Sequence, residues 1–120
     1  MLCIKTVKSL SKDELRSLNA LIDTYYELNT LLENDIVIYS KTKDEVIGCV
    51  CVNPKKGIVS NLCVKIEHMN TGIETNLIQM AKNISSTSLI VSITSNSIEH
   101  THYTNEGFVY DGEHSMVLQK

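Results

Sequence analysis

The sequence is short of several things: among its 120 residues there is no tryptophan, one phenylalanine, one proline and one arginine. With so little proline, and 42% apolar against 21% charged residues, it lacks the composition of disordered or fibrous chains. The lone arginine, Arg16, is too little for the basic, fork-presenting footprint that holds phosphate backbones, so no nucleic-acid partner is expected. Long hydrophobic runs are missing as well. The longest, residues 46–52, has seven members and includes Gly48, whereas a bilayer span needs about 20, so no membrane partner is expected. Lys5 and Lys8 stand where a signal peptide needs its apolar stretch, which makes a cytoplasmic protein the expectation. A chain of this length buries roughly two-thirds of its unfolded surface around one core, and 1–120 reads as a single domain.

Charge is unevenly placed. Residues 1–60 carry eight basic and eight acidic groups, whereas residues 61–120 carry Lys65, Lys82 and Lys120 against Glu67, Glu74, Glu99, Glu106, Asp111 and Glu113. The second half therefore holds the whole net charge of −3, and an acidic face suits a cationic small molecule or a lysine side chain. The four cysteines, Cys3, Cys49, Cys51 and Cys63, show no paired Cys-x-x-Cys spacing and no histidine at a zinc-ligand spacing. Cys49 and Cys51 share one face of an alternating strand. Free cysteine is among the most buried residue types, so these thiols read as packing residues and no metal is expected.

Periodicity then gives the elements. Residues 2–7 form a short strand, and Ser11-Lys12-Asp13-Glu14 is a capping box that opens a helix. Leu15, Leu18, Ile22 and Tyr25, widened by Leu21, Leu28 and Leu32, follow at helical spacing, as one helix or two with a break near Asp23 and Thr24. Three β-branched runs come next, at 36–39, 46–52 and 58–64, the last two joined by the hairpin sequence Asn53-Pro54-Lys55-Lys56-Gly57. A helix over 71–83 has Ile73, Leu77, Ile78 and Ala81 on one face. A strand at 89–94, a short helix at 99–106 ended by Gly107, and strands at 108–110 and 115–119 around Asp111-Gly112 complete an α+β order. His100 and His102 read as surface residues flanking Tyr103, and His68 as either a phosphate contact or a solvent-exposed side chain.

The run Leu62-Cys63-Val64-Lys65-Ile66-Glu67-His68-Met69-Asn70-Thr71-Gly72-Ile73-Glu74 resembles the strand, pyrophosphate loop and helix of the GNAT superfamily of acyl-CoA-dependent N-acyltransferases. A second signature is similar too: Asn96, then Tyr103, then Gly107-Phe108. The resemblance implies a mixed, mostly antiparallel sheet of six to seven strands with helices on both faces. It also implies acetyl-CoA as co-substrate and, as acceptor, a primary amine of a small molecule or of a protein lysine or N-terminus.

Residue by residue, the resemblance implies that Leu62, Cys63 and Val64 hold the pantetheine arm like an added strand. Met69, Asn70, Thr71, Gly72, Ile73 and Glu74 would wrap the pyrophosphate at a helix N-terminus, with Gly72 allowing close approach. Asn96 would belong to the cofactor site, and Tyr103 would protonate the leaving thiolate. This chain departs from the family where Met69 replaces Arg or Gln and Glu74 replaces glycine or alanine. A carboxylate at Glu74 can itself occupy the anion site, and a unit charge ~4 Å from a phosphate oxygen costs about 4 kcal/mol at an effective dielectric near 20. The strand at 58–64 has no acidic residue, so Ser60 or Asn61 holding a water, or His114, would have to take the proton from the amine. The alternative function is a GNAT-like non-catalytic binding or regulatory module with weakened CoA binding. Whether the chain is a monomer or a dimer is left open by these residues.

Overall fold

The computed structural model describes residues 2–25, 31, 34–43, 45–85, 88–92, 99–112 and 115–119. Seven strands form one sheet in the order β1-β2-β3-β4-β5-β7-β6: β1 Leu2–Thr6, β2 Ile36–Thr42, β3 Glu45–Asn53, β4 Ile58–Val64, β5 Leu89–Ser92, β6 Val109–Tyr110 and β7 Ser115–Leu118. Among the described residues only β4 and β5 pair in parallel, with Ile58 opposite Ile90 and Val59 opposite Val91. The helices are α1 Lys12–Tyr25, α2 Ile73–Ile84 and α3 Glu99–Asn105. Among the described residues no helix is long and apolar enough to cross a membrane.

Alternation along the strands sorts the core into two layers. Val37, Tyr39, Cys49, Cys51 and Cys63 face Leu18, Leu21 and Ile22 of α1. On the opposite face Ile38, Val50, Val52, Val59, Leu62 and Val64 meet Leu77, Ile78 and Ala81 of α2, and Tyr103 and Phe108 close the layer. The sheet is thus mixed, mostly antiparallel, and carries helices on both faces, in the element order that the periodicity predicts.

The local start signals operate as their chemistry requires. Ser11 Oγ accepts from the Glu14 amide at 3.1 Å, and the Glu14 carboxylate accepts from the Ser11 amide at 3.1 Å, so the capping box closes in both directions. Glu14 then reaches further: Lys5 Nζ donates to its oxygens at 3.0 and 3.2 Å, and the buried Tyr39 hydroxyl donates to Oε2. One carboxylate ties α1 to β1 and β2. These hydrogen bonds, that of Tyr39 first, hold the Glu14 carboxyl down at about 2, from an ordinary 4.5. Burial and the neighbouring carboxylate push the Tyr39 phenol up.

Several boundaries differ from those the periodicity predicts, most by a residue or two. The helix expected over 71–83 begins at Ile73, because Gly72 has φ 93° and Thr71 Oγ1 donates back to the His68 carbonyl at 2.5 Å. Phe108 stays out of β6, since its amide bonds the Tyr103 carbonyl at 3.1 Å across the left-handed Gly107 that ends α3. The strand beginning at Ile36 runs on to Thr42, and α1 continues without a break through Asp23 and Thr24 to Tyr25, the last described residue of that stretch. Leu28, Leu32, and the 93–94 end of the expected fifth strand lie outside the described residues.

Candidate active site

β4, the turn after it and the start of α2 form one continuous structure. β4 carries an irregularity: Cys49 of β3 lies opposite Cys63, and Cys51 opposite Ser60, so β4 spends one more residue than β3 over this stretch. The extra residue coincides with Asn61, whose φ of 59° is left-handed, a conformation that asparagine tolerates better than most. The bulge shifts the alternation by one. Without it Leu62 would fall on the α1 face; with it Leu62 and Val64 join Tyr103 in the α2 layer, and Cys63 turns toward Cys49 and α1. The Ser60-Asn61 pair interrupting an apolar run was the signal for this bulge, and alternation alone missed it.

The thiols fill space. Cys49 Sγ lies 3.5 Å from Cys63 Sγ and 3.5 Å from the Asn61 carbonyl, and both cysteines are buried. The contact with Cys63 and burial push the Cys49 thiol up, and burial pushes Cys51 up to about 12, so both remain protonated and unreactive at neutral pH.

From Val64 the chain makes a 3-10 turn, Ile66–His68, and a loop at residues 69–72 before α2. Asn70 (φ 62°) and Gly72 (φ 93°) are both left-handed; the Met69 amide closes the 3-10 turn onto the Ile66 carbonyl at 3.3 Å, and the Asn70 amide points to the start of α2. A Cβ placed on Gly72 would meet nothing within 4 Å, so the loop is open in front of the helix N-terminus. Gly48 of β3 seats that terminus: a Cβ there would lie 3.1 Å from Ile73 Cγ2 and 3.1 Å from Val64 Cγ2. One anion already sits on the loop. Glu74, buried to 6% exposure, accepts from the Asn70 amide at 3.2 Å.

The structure therefore brings together most of the residues singled out in the sequence. Leu62, Val64 and Tyr103 share one layer, with Met69 and Ile73 packed against it. Tyr103 is fully buried, its ring meeting Phe108 edge-on at 5.1 Å between centroids. Cys63 faces the opposite layer. The pairing of β4 with β5 is at Ile58 and Val59, ahead of Leu62 and Val64, each of which has an interaction within the chain. Asn96 and His114 lie outside the described residues. Thr71 is exposed and bonded to His68.

No protein-family model and no curated protein sequence matches the chain. Solved structures do. An acyl-CoA N-acyltransferase from Pseudomonas aeruginosa superposes with a TM-score of 0.79 at 14% identity, covering 98% of this chain and 97% of its own. Escherichia coli ElaA gives 0.81 at 11% identity, with 99% of both chains covered. The fold is that of the GNAT N-acyltransferases. An aminoglycoside 6'-N-acetyltransferase complexed with coenzyme A gives 0.75 at 12% identity, over 98% of this chain and 96% of that one. This GNAT fold carries one further feature that the sequence did not reveal. A groove of about 410 Å³ lies between α1 and the segment following β4, lined by Ser17, Leu21 and Thr24 on one side and Glu45, Lys65, Ile66 and Glu67 on the other.

Proposed function

We propose that this GNAT-fold chain is an acyl-CoA-dependent N-acyltransferase acting on primary amines, with acetyl-CoA as the acyl donor. The observation that carries the reading is the loop at 69–72: two left-handed residues, open space in front of Gly72, and the N-terminus of α2 directly behind. Such a loop fits a diphosphate, which takes backbone amides and the positive end of a helix dipole. Met69, Asn70, Thr71, Gly72 and Ile73 would surround it, with Glu74 rotating off the Asn70 amide to admit it. Leu62, Cys63 and Val64 of β4 would line the pantetheine arm, and Asn96 would complete the site.

Bound acetyl-CoA supplies an activated thioester; the chain's own part is to orient and to handle protons. A backbone amide near Cys63 and Val64 would polarise the carbonyl. Tyr103, a phenol enclosed beside β4, would give its proton to the leaving sulfur, a transfer between groups of comparable pKa. A water held by Ser60 or Asn61, or His114, would accept the proton of the amine. Protein lysines and N-termini are acceptors of the same chemistry as small amines.

A second reading has its own observation. The Glu74 contact with the Asn70 amide favours a non-catalytic binding or regulatory module whose anion site is filled from within. Calorimetric titration with acetyl-CoA separates the two. The acyltransferase binds it, and Tyr103→Phe leaves that binding intact while slowing acyl transfer about a hundredfold. Absence of any interaction at millimolar acetyl-CoA removes the acyltransferase reading and leaves the module.

A further inference from the structure

The groove beside α1 has two kinds of wall. Ser17, Leu21 and Thr24 lie at helical spacing on one stripe of α1, with Leu21 buried at its base. Across from them Ile66 leaves 74% of its surface exposed, an unusual position for a large aliphatic side chain, and forms an apolar rim. Three charges border the same space. Lys65 is already paired with Glu45, and among the described residues the Glu67 carboxylate has no ion-pair partner. The groove therefore presents an apolar strip ending in one uncompensated negative charge, which is the complement of an aliphatic stem bearing a cation.

Its position fixes what that cation does. Glu67 follows Val64 by three peptide units, at most about 11 Å along the backbone, so the groove, whose helical wall is on the α1 face of the sheet, lies within that reach of the end of β4, where the proposed function sets the thioester. An amine held as an ammonium against Glu67 keeps its proton and lacks a lone pair, so it is not the nucleophile. We propose that the groove holds the far, cationic end of the acceptor, which makes the substrate class a primary amine that bears a second cationic group on a flexible aliphatic stem. Glu67 is the anchor for that second charge. The inference rests on the acyltransferase reading for the reacting end and on the groove alone for the bound end.

The test uses the whole chain and cadaverine, followed by amide chemical shifts in solution. Saturable shifts at Ser17, Thr24, Ile66 and Glu67, absent with the dianion glutarate, are the expected result. Glu67→Gln, an exposed change that leaves the fold intact, weakens cadaverine about twofold to fivefold, the range of one exposed ion pair. Asp111→Asn, an equal loss of charge elsewhere on the acidic half, leaves it unchanged. Shifts scattered over the acidic surface, shifts shared with glutarate, or equal affinity in Glu67→Gln overturn the proposal. A parallel titration with acetyl-CoA, read at the amides of residues 69–74, scores the acyltransferase reading separately. Acetyl-CoA binding without cadaverine in the groove defeats the groove inference alone, and the reverse defeats the acyltransferase reading alone.

Discussion

The two long helices begin with the same device and use it differently. Each has a glutamate in its first turn that folds back onto a backbone amide: Glu14 onto Ser11 at the start of α1, and Glu74 onto Asn70 at the start of α2. At α1 the carboxylate is surrounded by the Ser11 cap, Lys5 and the Tyr39 hydroxyl, and those partners belong to three different elements. At α2 the cap position is Gly72, which has no side chain to offer, and among the described residues Glu74 bonds a single amide, that of Asn70. A carboxylate held by a cation, a phenol and an amide is a structural joint. Held by one amide at a helix N-terminus, it is an anion that another anion can replace.

The largest expected effect comes from breaking the joint at α1. Glu14→Gln leaves Lys5 without its counter-charge and Tyr39 with a weaker acceptor, and it should lower unfolding free energy by about 3 kcal/mol in urea titrations. The acid limb of stability gives the same contrast by pH. The Glu14 carboxyl is held at about 2 against 4.5, so its contribution is fully present above pH 4.5 and is lost as pH falls toward 2. The shift corresponds to at most about 3 kcal/mol at 1.36 kcal/mol per unit. Melting temperature should therefore fall steeply between those values in the wild type and be flatter in Glu14→Gln. Parallel curves for the two proteins would show that the joint is not what acid breaks.

Opening the anion site at α2 should have the next largest effect, and it appears in binding. Glu74→Gly removes a like charge from the Asn70 amide, and Met69→Arg adds a cation with a forked donor beside the loop. Each should tighten acetyl-CoA binding by ~1 to 3 kcal/mol in calorimetry, less than the full Coulomb estimate because salt screens the site. If the double variant binds and the wild type does not, the site is built but closed. No binding by either would mean that the loop at 69–72 does not serve a diphosphate.

These two helix starts also show what the sequence made legible. The Ser11–Glu14 box was readable because both partners lie within one turn, and the same locality made Gly107 and the loop before α2 readable. The depth of the Glu14 joint was not, since Lys5 and Tyr39 reach it only through the pairing of β1 with β2. Likewise the phase of β4 past Asn61 depends on a bulge against β3, and the groove on how α1 crosses the end of β4. Tyr103 could be located on its helix from sequence, but its full burial against Phe108 arises from the docking of α3.

A smaller effect should follow from disturbing how α2 is seated. Gly48→Ala sets a methyl 3.1 Å from both Ile73 Cγ2 and Val64 Cγ2, so the start of α2 must give by a few tenths of an ångström. We expect a loss of about 1 kcal/mol in stability, at the low end for overpacking, together with shifted amide resonances in residues 69–74. Unshifted loop resonances would mean that the seat at Gly48 does not set the loop.

The smallest expected effect is the sharpest test of the comparison. Glu74→Gln keeps an oxygen that can accept from the Asn70 amide and fills nearly the same volume, so the fold loses the attraction between a charge and a helix dipole and little else. That attraction is worth about 0.3 to 1 kcal/mol. Glu74→Gln should therefore cost less than about 1 kcal/mol in urea, against about 3 for Glu14→Gln, although both replace a buried first-turn glutamate by its amide. If the two substitutions cost the same, Glu74 is a joint like Glu14, and an incoming diphosphate would have to break structure to enter. A small cost for Glu74→Gln alongside a large one for Glu14→Gln makes the α2 carboxylate an exchangeable occupant, which is the condition for the loop to bind anything at all.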